Sequence, residues 1–195
     1  VLTAIAAYFL GSIPTGYLVA KARGIDIRSV GSGNIGATNA FRVLGAPAGI
    51  TVLLVDAIKG FIACRFIAFG PNPGETHHMI AGVCAILGHN YTCWLKFKGG
   101  KGIATSAGVM VAWTPVGFAI AATTFAIVLA ISKYVSLSSI CAAIALPIGV
   151  WLTGGSLRMI VLTSLVSAMA IYKHRSNIQR LMAGTESRIG SKKKE

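Results

Sequence analysis

Long apolar runs recur through this chain, separated by short polar stretches. They cover about 1–20, 49–69, 78–95, 103–113, 116–132, 136–152 and 157–172. Roughly 20 apolar residues cross a hydrocarbon core as a helix, and lipid leaves a helix as the simplest way to satisfy the backbone. The pattern therefore predicts an all-α, polytopic membrane protein with seven transmembrane helices. Composition agrees: 54% of residues are hydrophobic and 12% charged, against about a quarter charged in a soluble domain. Residues 1–195 are expected to form a single integral-membrane domain. A basic tail runs from 173, and residues 190–195 are expected to be disordered.

Local details refine the spans. The first run lacks a preceding basic segment and holds Gly11, Pro14 and Gly16. It reads as a retained span rather than a cleaved signal, with at least an initiator residue expected ahead of Val1. Pro14 predicts a kink. The fourth run has eleven residues before Thr114-Pro115, so it starts below the interface or borrows the polar loop before it. Gly70-Pro71-Asn72-Pro73-Gly74 and Gly154-Gly155-Ser156 read as outer turns. The four cysteines lie in apolar runs without ligand spacing, and packing roles are expected of them.

The net charge of +13 sets the orientation. With the N-terminus outside and the C-terminus cytoplasmic, 15 of the 18 Lys+Arg lie on the inner side, as the positive-inside rule asks. Beyond topology, the charge suits anionic membrane lipid or an anionic substrate, and nucleic acid is not an expected partner.

The polar motifs fall on that same inner face: Ser32 to Arg42, Lys98-Gly99-Gly100-Lys101-Gly102 with Thr105, Ser136 to Ser139, and His174 to Arg188. A transporter places such groups near mid-membrane on broken helices; this distribution favours a site at one interface. The stretch Gly31-Ser32-Gly33-Asn34-Ile35-Gly36-Ala37-Thr38-Asn39-Ala40-Phe41-Arg42 reads as a loop. Its glycines let successive amides converge on an anion, and Arg42 supplies a guanidinium suited to phosphate. It matches GxGxxG, but no strand precedes it, so a dinucleotide fold is excluded. Lys98 to Thr105 is not a P-loop, since Gly102 follows Gly100-Lys101; its lysine and glycines at a helix start still suit a phosphate. The inner-face acids, Asp26, Glu186 and Glu195, are too scattered for a divalent-metal site. No metal and no cofactor is expected.

Asp56 and Lys59 sit i, i+3 inside the second span. Charges there are functional suspects, although an ion pair facing the bundle is the favoured reading. His89 near the inner end of the third span suits a ligand or a packing role equally. His77 and His78 lie outside and read as incidental. His174, among cationic motifs, can donate to a phosphate or act as a base. No histidine has an acid five residues on, which excludes the His-x4-Asp acyltransferase arrangement. Ser32 and Ser139 lack a nucleophile elbow or triad and read as substrate donors.

Taken in order, Ser32 to Asn39, Gly88-His89, Phe97 to Thr105, Lys133 to Ser139, His174 to Leu181 and Gly184-Thr185-Glu186 resemble the signatures of the bacterial acyl-phosphate-dependent glycerol-3-phosphate acyltransferases, the PlsY family. The resemblance spans nearly the whole chain. It implies transfer of a fatty acyl group from acyl phosphate to the 1-hydroxyl of glycerol 3-phosphate, giving lysophosphatidic acid and phosphate, in the first acylation of phospholipid synthesis. It also implies residence in the bacterial inner membrane with a cytoplasmic site.

Under that resemblance, Ser32, Asn34, Gly36, Ala37, Thr38 and Asn39 are assigned to the acyl phosphate and the developing oxyanion. Arg42, Lys101, Ser139, His174 and Asn177 are assigned to glycerol 3-phosphate, with the two phosphates interchangeable between loops. Gly99, Gly100, Thr105, Arg175 and Glu186 complete the substrate-binding set. Ser32, Asn34, Thr38, Asn39, Lys101 and His174 form the catalytic set. A monomer is expected. The rival reading is a transporter of organic anions or phosphate esters.

Overall fold

The computed structural model describes residues 1–67 and 74–190. Among these the chain is helical and contains no strand. The Gly70 to Pro73 part of the outer turn and the last five residues of the tail lie outside the described residues. Among the described residues, four segments are long and apolar enough to cross a membrane: Leu2–Lys21, Ala46–Phe66, Pro115–Ser132 and Val135–Leu152. At ~1.5 Å per residue, the 21 residues of Ala46–Phe66 span about 31 Å, a full hydrocarbon core. Ile103–Trp113, with 11 residues, covers about half of one. The chain divides into two compact units, Val1–Trp113 and Thr114–Glu195.

In the first unit, α1 (Leu2–Ser12) and α2 (Thr15–Lys21) form the first span. The kink expected at Pro14 is a full break, because the ring removes a donor and disfavours helix at the preceding Ile13. Then follow α3 (Ala37–Leu44), α4 (Ala46–Phe66), α5 (Glu75–Asn90), a 3-10 turn (Cys93–Leu95) and α6 (Ile103–Trp113). Helix α1 packs on α5, and α4 packs on α3, α5 and α6. The contacts are close because small residues meet backbone. A Cβ on Gly11 would run into Ala85 of α5, and one on Gly108 into the Ala57 carbonyl of α4. Ala20, Ile27, Ile35, Ala40, Val52 and Leu95 form one core cluster. Ala7, Ala63, Ala81 and Ala85 form another.

Two expectations change here. The stretch from Gly36 to Arg42 is not a loop. Asn34 Oδ1 accepts from the Gly36 amide at 2.8 Å, an Asx turn that opens α3 at Ala37, and Ala40 seals the helix into the core. The third apolar run is helical only to Asn90. Beyond it, the amides of Gly99 and Gly100 return to the carbonyls of Asn90 and His89 at 3.2 and 3.1 Å and close the helix end.

The second unit contains α7 (Pro115–Ser132), α8 (Val135–Leu152), α9 (Leu157–Lys173) and α10 (Arg175–Met182). Helix α8 packs on α7 and α9, and α10 meets both α8 and α9. Ser156 caps α9 by accepting from the Met159 amide at 3.3 Å. Within the basic tail, residues 175–182 are helical, and the chain beyond them is tied back. The Ile189 amide donates to the Lys133 carbonyl at 2.9 Å, and the Arg188 guanidinium lies 4.9 Å from the centre of the Tyr134 ring.

Candidate active site

In the first unit, the expected site residues flank the starts of α3 and α6, with Arg42 in the last turn of α3. Left-handed backbone at Gly31 and Gly33 (φ +62° and +69°) folds the approach to α3 back on itself, a conformation only glycine adopts without strain. Asn39 is buried and locks this turn. Its Oδ1 accepts from the Ser32 amide at 2.9 Å, and its Nδ2 donates to the carbonyls of Val30 and Ile27 at 3.1 and 3.3 Å. Asn39 therefore shapes the turn, while Ser32 and Thr38 are exposed. The first-turn amides of α3, at Ala37 and Thr38, have no partner inside the helix and carry the positive end of its dipole.

Arg42, on the same helix, is exposed and makes no hydrogen bond or ion pair among the described residues. Its neighbours are committed. Arg23 donates to the Leu44 carbonyl at 3.0 Å, finishing α3. Arg28 pairs with Asp26 at 2.7 Å; hydrogen bonds from the Arg28 side chain and amide hold the Asp26 carboxyl down to about 2.

The Lys98 to Gly102 loop lies against the end of α5. A Cβ on Gly99 would collide with the His89 carbonyl, one on Gly100 with His89 Nε2, and one on Gly102 (φ +81°) with the Asn90 side chain. Lys101 follows these contacts at the approach to α6 and is half-buried. Thr105, in the first turn of α6, is fully buried, and its carbonyl abuts Gly60 of α4.

Behind this loop lies a cluster that the sequence reading left outside the site. Asp56 and Lys59 pair at 2.7 Å and are both buried, the ion pair favoured from their spacing. Asp56 also accepts from the Thr15 hydroxyl at 2.9 Å. Lys59 Nζ donates to the Ile13 carbonyl at 2.8 Å and lies 3.1 Å from His89 Nδ1. On α5, His78 Nδ1 donates to the Cys64 carbonyl at 2.6 Å, a packing role. An apolar groove of about 320 Å³, lined by Ile13, Pro14, Tyr17, Leu18, Trp94 and Leu95, runs past the α1–α2 break.

In the second unit, Glu186 organises the polar groups. Gly184 (φ +68°) turns the chain after α10, and the Thr185 amide returns to the Arg180 carbonyl at 2.8 Å. Glu186 Oε1 then accepts from Ser136 Oγ at 2.7 Å and Asn177 Nδ2 at 2.6 Å, and Oε2 accepts from Arg180 Nε at 2.6 Å. Burial by itself would raise this carboxyl, but the three donors and the guanidinium charge outweigh it and hold it below the usual glutamate range.

Ser139 is buried, and its hydroxyl donates to the Val135 carbonyl at 2.8 Å. His174 is buried, and its Nδ1 lies 2.8 Å from the Ala170 carbonyl. A carbonyl only accepts, so Nδ1 carries the proton and, in the neutral ring, Nε2 is the accepting nitrogen. Arg175 is exposed, with its guanidinium 4.6 Å from the centre of the Tyr172 ring.

The expected residues thus fall into two sets. Ser32 to Arg42 with Gly99 to Thr105 belong to the first unit; Ser139, His174, Arg175, Asn177 and Glu186 belong to the second. Ser136 and Arg180, which fix Glu186, lie in the inner-face polar motifs but were not among the expected site residues, and nothing in sequence paired them with a carboxylate 50 and 6 positions away.

Glycine-rich helix starts with cations nearby and few uncommitted acids give this helical membrane protein a polar surface that suits anions. Known proteins say which kind. The family model described as Glycerol-3-phosphate acyltransferase matches residues 1–184. The chain is 43% identical over 196 residues to a glycerol-3-phosphate acyltransferase of Endomicrobium trichonymphae, covering 100% of this chain and 98% of that one. It is 46% identical over 183 residues to that of Geotalea daltonii, covering 94% of each. A crystal structure of PlsY (YgiH), an integral membrane glycerol 3-phosphate acyltransferase, in its glycerol 3-phosphate form superimposes with a TM-score of 0.88 at 37% identity, covering 96% of this chain and 94% of that one. Its lysophosphatidic acid form gives a TM-score of 0.85 at 36% identity. The chain belongs to the glycerol-3-phosphate acyltransferase family and is an acyltransferase.

Proposed function

We propose that this protein transfers a fatty acyl group from acyl phosphate to the 1-hydroxyl of glycerol 3-phosphate at the cytoplasmic face of a bacterial inner membrane. Seven crossings with the C-terminus inside put its cationic motifs on that face. The observation that carries the reading is the shared character of the α3 and α6 starts, bare amides and glycines, with Arg42 in the last turn of α3, Lys101 ahead of α6, and the nearby acid, Asp26, already held by Arg28. Two phosphorylated substrates ask for such a surface.

In the reaction, the hydroxyl oxygen attacks the acyl carbonyl carbon. A new ester C–O bond forms, the bond between the acyl carbon and the bridging oxygen breaks, and phosphate leaves with that oxygen and the electron pair. The hydroxyl proton passes to a substrate phosphate oxygen. The amides of Ala37 and Thr38 with Ser32 steady the acyl phosphate and the oxyanion. Arg42, Lys101, Ser139, His174 and Asn177 hold glycerol 3-phosphate, and the acyl chain lies along the groove beside Pro14 and Trp94, whose lining reaches Leu95, next to the cationic Lys96. Asn39 and Glu186 act at one remove, by fixing the turn and Asn177. The whole chain serves this one reaction as a monomer, in contact with anionic lipid.

The donor is tested by offering acyl phosphate, acyl-CoA and acyl carrier protein in turn with labelled glycerol 3-phosphate to purified protein in detergent. Lysophosphatidic acid formed from acyl phosphate alone supports the reading; equal yield from a thioester rejects it. Loss of turnover in His174→Ala with unchanged substrate binding would transfer the base role to that histidine.

A further inference from the structure

A carboxylate, an ammonium and an imidazole meet inside the first unit, at residues 1%, 3% and 5% exposed: Asp56, Lys59 and His89. Taking ions out of water costs several kcal/mol each, so a buried pair is a poor stabiliser compared with well-packed apolar residues. Within a membrane span the cost asks for another explanation. The cluster ties α4 to the α1–α2 break and to the end of α5. Lys59 Nζ reaches the Ile13 carbonyl at the α1–α2 break at 2.8 Å, Asp56 reaches Thr15 at the start of α2, and His89 closes α5.

The protonation pattern is fixed by donors and acceptors alone. Lys59 is held as an ammonium by Asp56 at 2.7 Å, and an ammonium has only protons to offer. His89 Nδ1, 3.1 Å from it, must therefore be the accepting nitrogen. The ring is neutral and carries its proton on Nε2, the atom against which Gly100 is packed so closely that no Cβ fits. The His89 carbonyl holds the same glycine from the backbone side, accepting its amide at 3.1 Å.

We propose that His89 is a positioning residue for acyl transfer. Asp56 orients Lys59, Lys59 fixes the Nε2–H tautomer of His89, and the ring and carbonyl of His89 hold Gly99, Gly100 and, through them, Lys101 in place. This rests on the reading that the Lys98 to Gly102 loop binds a substrate phosphate. Displacing a binding group by about 1 Å is enough to cost up to 100-fold in rate.

The test compares His89→Gln, whose amide nitrogen replaces the Nε2 donor, with His89→Leu, which fills the space without one. Turnover per folded molecule and thermal unfolding are measured for both in detergent. The expected result is a fall of about tenfold or more in kcat/KM for His89→Leu, with recovery to within a few-fold of wild type in His89→Gln and similar unfolding temperatures for the two. Equal activity of the two variants, or losses that track unfolding temperature, would overturn the proposal.

Nitrogen-15 spectra of the wild-type histidines, with His89 assigned by its loss in His89→Gln, give a second arm that does not depend on either variant's activity. A bare Nδ1 and protonated Nε2 are expected; a protonated Nδ1 overturns the proposal. Lys101→Met separates the two readings. If it keeps full activity, the loop does not bind substrate and the functional reading of the loop fails. If it is inactive while His89→Leu is fully active, the positioning role alone fails.

Discussion

Two carboxylates, Asp56 and Glu186, each gather three partners, yet they do so under opposite conditions. Asp56 lies inside a membrane-spanning helix, where it accepts from an ammonium three residues on and a hydroxyl on α2, with the bare Nδ1 of an imidazole on α5 at 3.7 Å, beyond hydrogen-bond reach. Glu186 lies on the chain beyond α10, and its donors come from the start of α8 and from α10. Its arginine partner is 40% exposed. The first cluster is a closed pair whose charges cannot be left singly in apolar surroundings. The second is a strap that folds a polar tail onto a helix start. Both serve the same end. On the function proposed above, the first fixes the Gly99–Lys101 loop and the second fixes Asn177, while Arg42 makes no hydrogen bond or ion pair among the described residues.

The sharpest way to break this contrast is to remove one charge of the buried pair. Lys59→Met leaves the Asp56 charge uncompensated and is expected to cost about 3–5 kcal/mol of stability, read as a large drop in thermal unfolding temperature. The double variant Asp56→Leu with Lys59→Met removes both charges and is expected to recover most of that stability.

A smaller loss, in activity, is expected of Gly100→Ala. The added methyl meets a ring that Lys59 holds fixed, and kcat/KM should fall about 10- to 100-fold, equivalent to about 1.4–2.7 kcal/mol, in steady-state assays.

The strap is weaker because solvent screens Arg180. Glu186→Gln is expected to cost about 1–2 kcal/mol of stability. Since the folded state depresses this carboxyl, its contribution is fully present above the ordinary glutamate value of about 4.3 and is lost as pH falls through the lower folded value. The unfolding-temperature gap between wild type and Glu186→Gln should hold from pH 7 to about 5 and close below about 4. The least effect is expected of Asp26→Ala, whose exposed pair with Arg28 should leave the unfolding temperature unchanged within error.

What sequence reveals follows the same contrast. The apolar runs, the broken first span and the Asp56–Lys59 pair were all legible, because each depends on residues close together in the chain. Helix α3 was hidden by its own start: Gly-Ser-Gly-Asn reads as loop, and only Asn39 reaching back to Ser32 and Val30 shows how a helix grows from it. Helix α10 was hidden because a polar, basic segment has no apolar stripe to announce packing. The His89–Lys59 and Glu186–Ser136 contacts join residues 30 and 50 positions apart, and no local pattern encodes them. The charge inside α4 was the available clue to the first; the second had none.

The claim on which the rest depends is that Arg42 on α3 and Lys101 at the approach to α6, rather than the buried clusters, make the energetic contacts to phosphate. Equilibrium binding of labelled glycerol 3-phosphate and of a non-hydrolysable acyl phosphonate to wild type, Arg42→Ala and Lys101→Met in lipid nanodiscs tests it directly. Each variant is expected to lose about 1.5–3 kcal/mol, roughly 10- to 150-fold in affinity, for at least one of the two ligands. Wild-type affinity for both ligands in both variants would contradict the account.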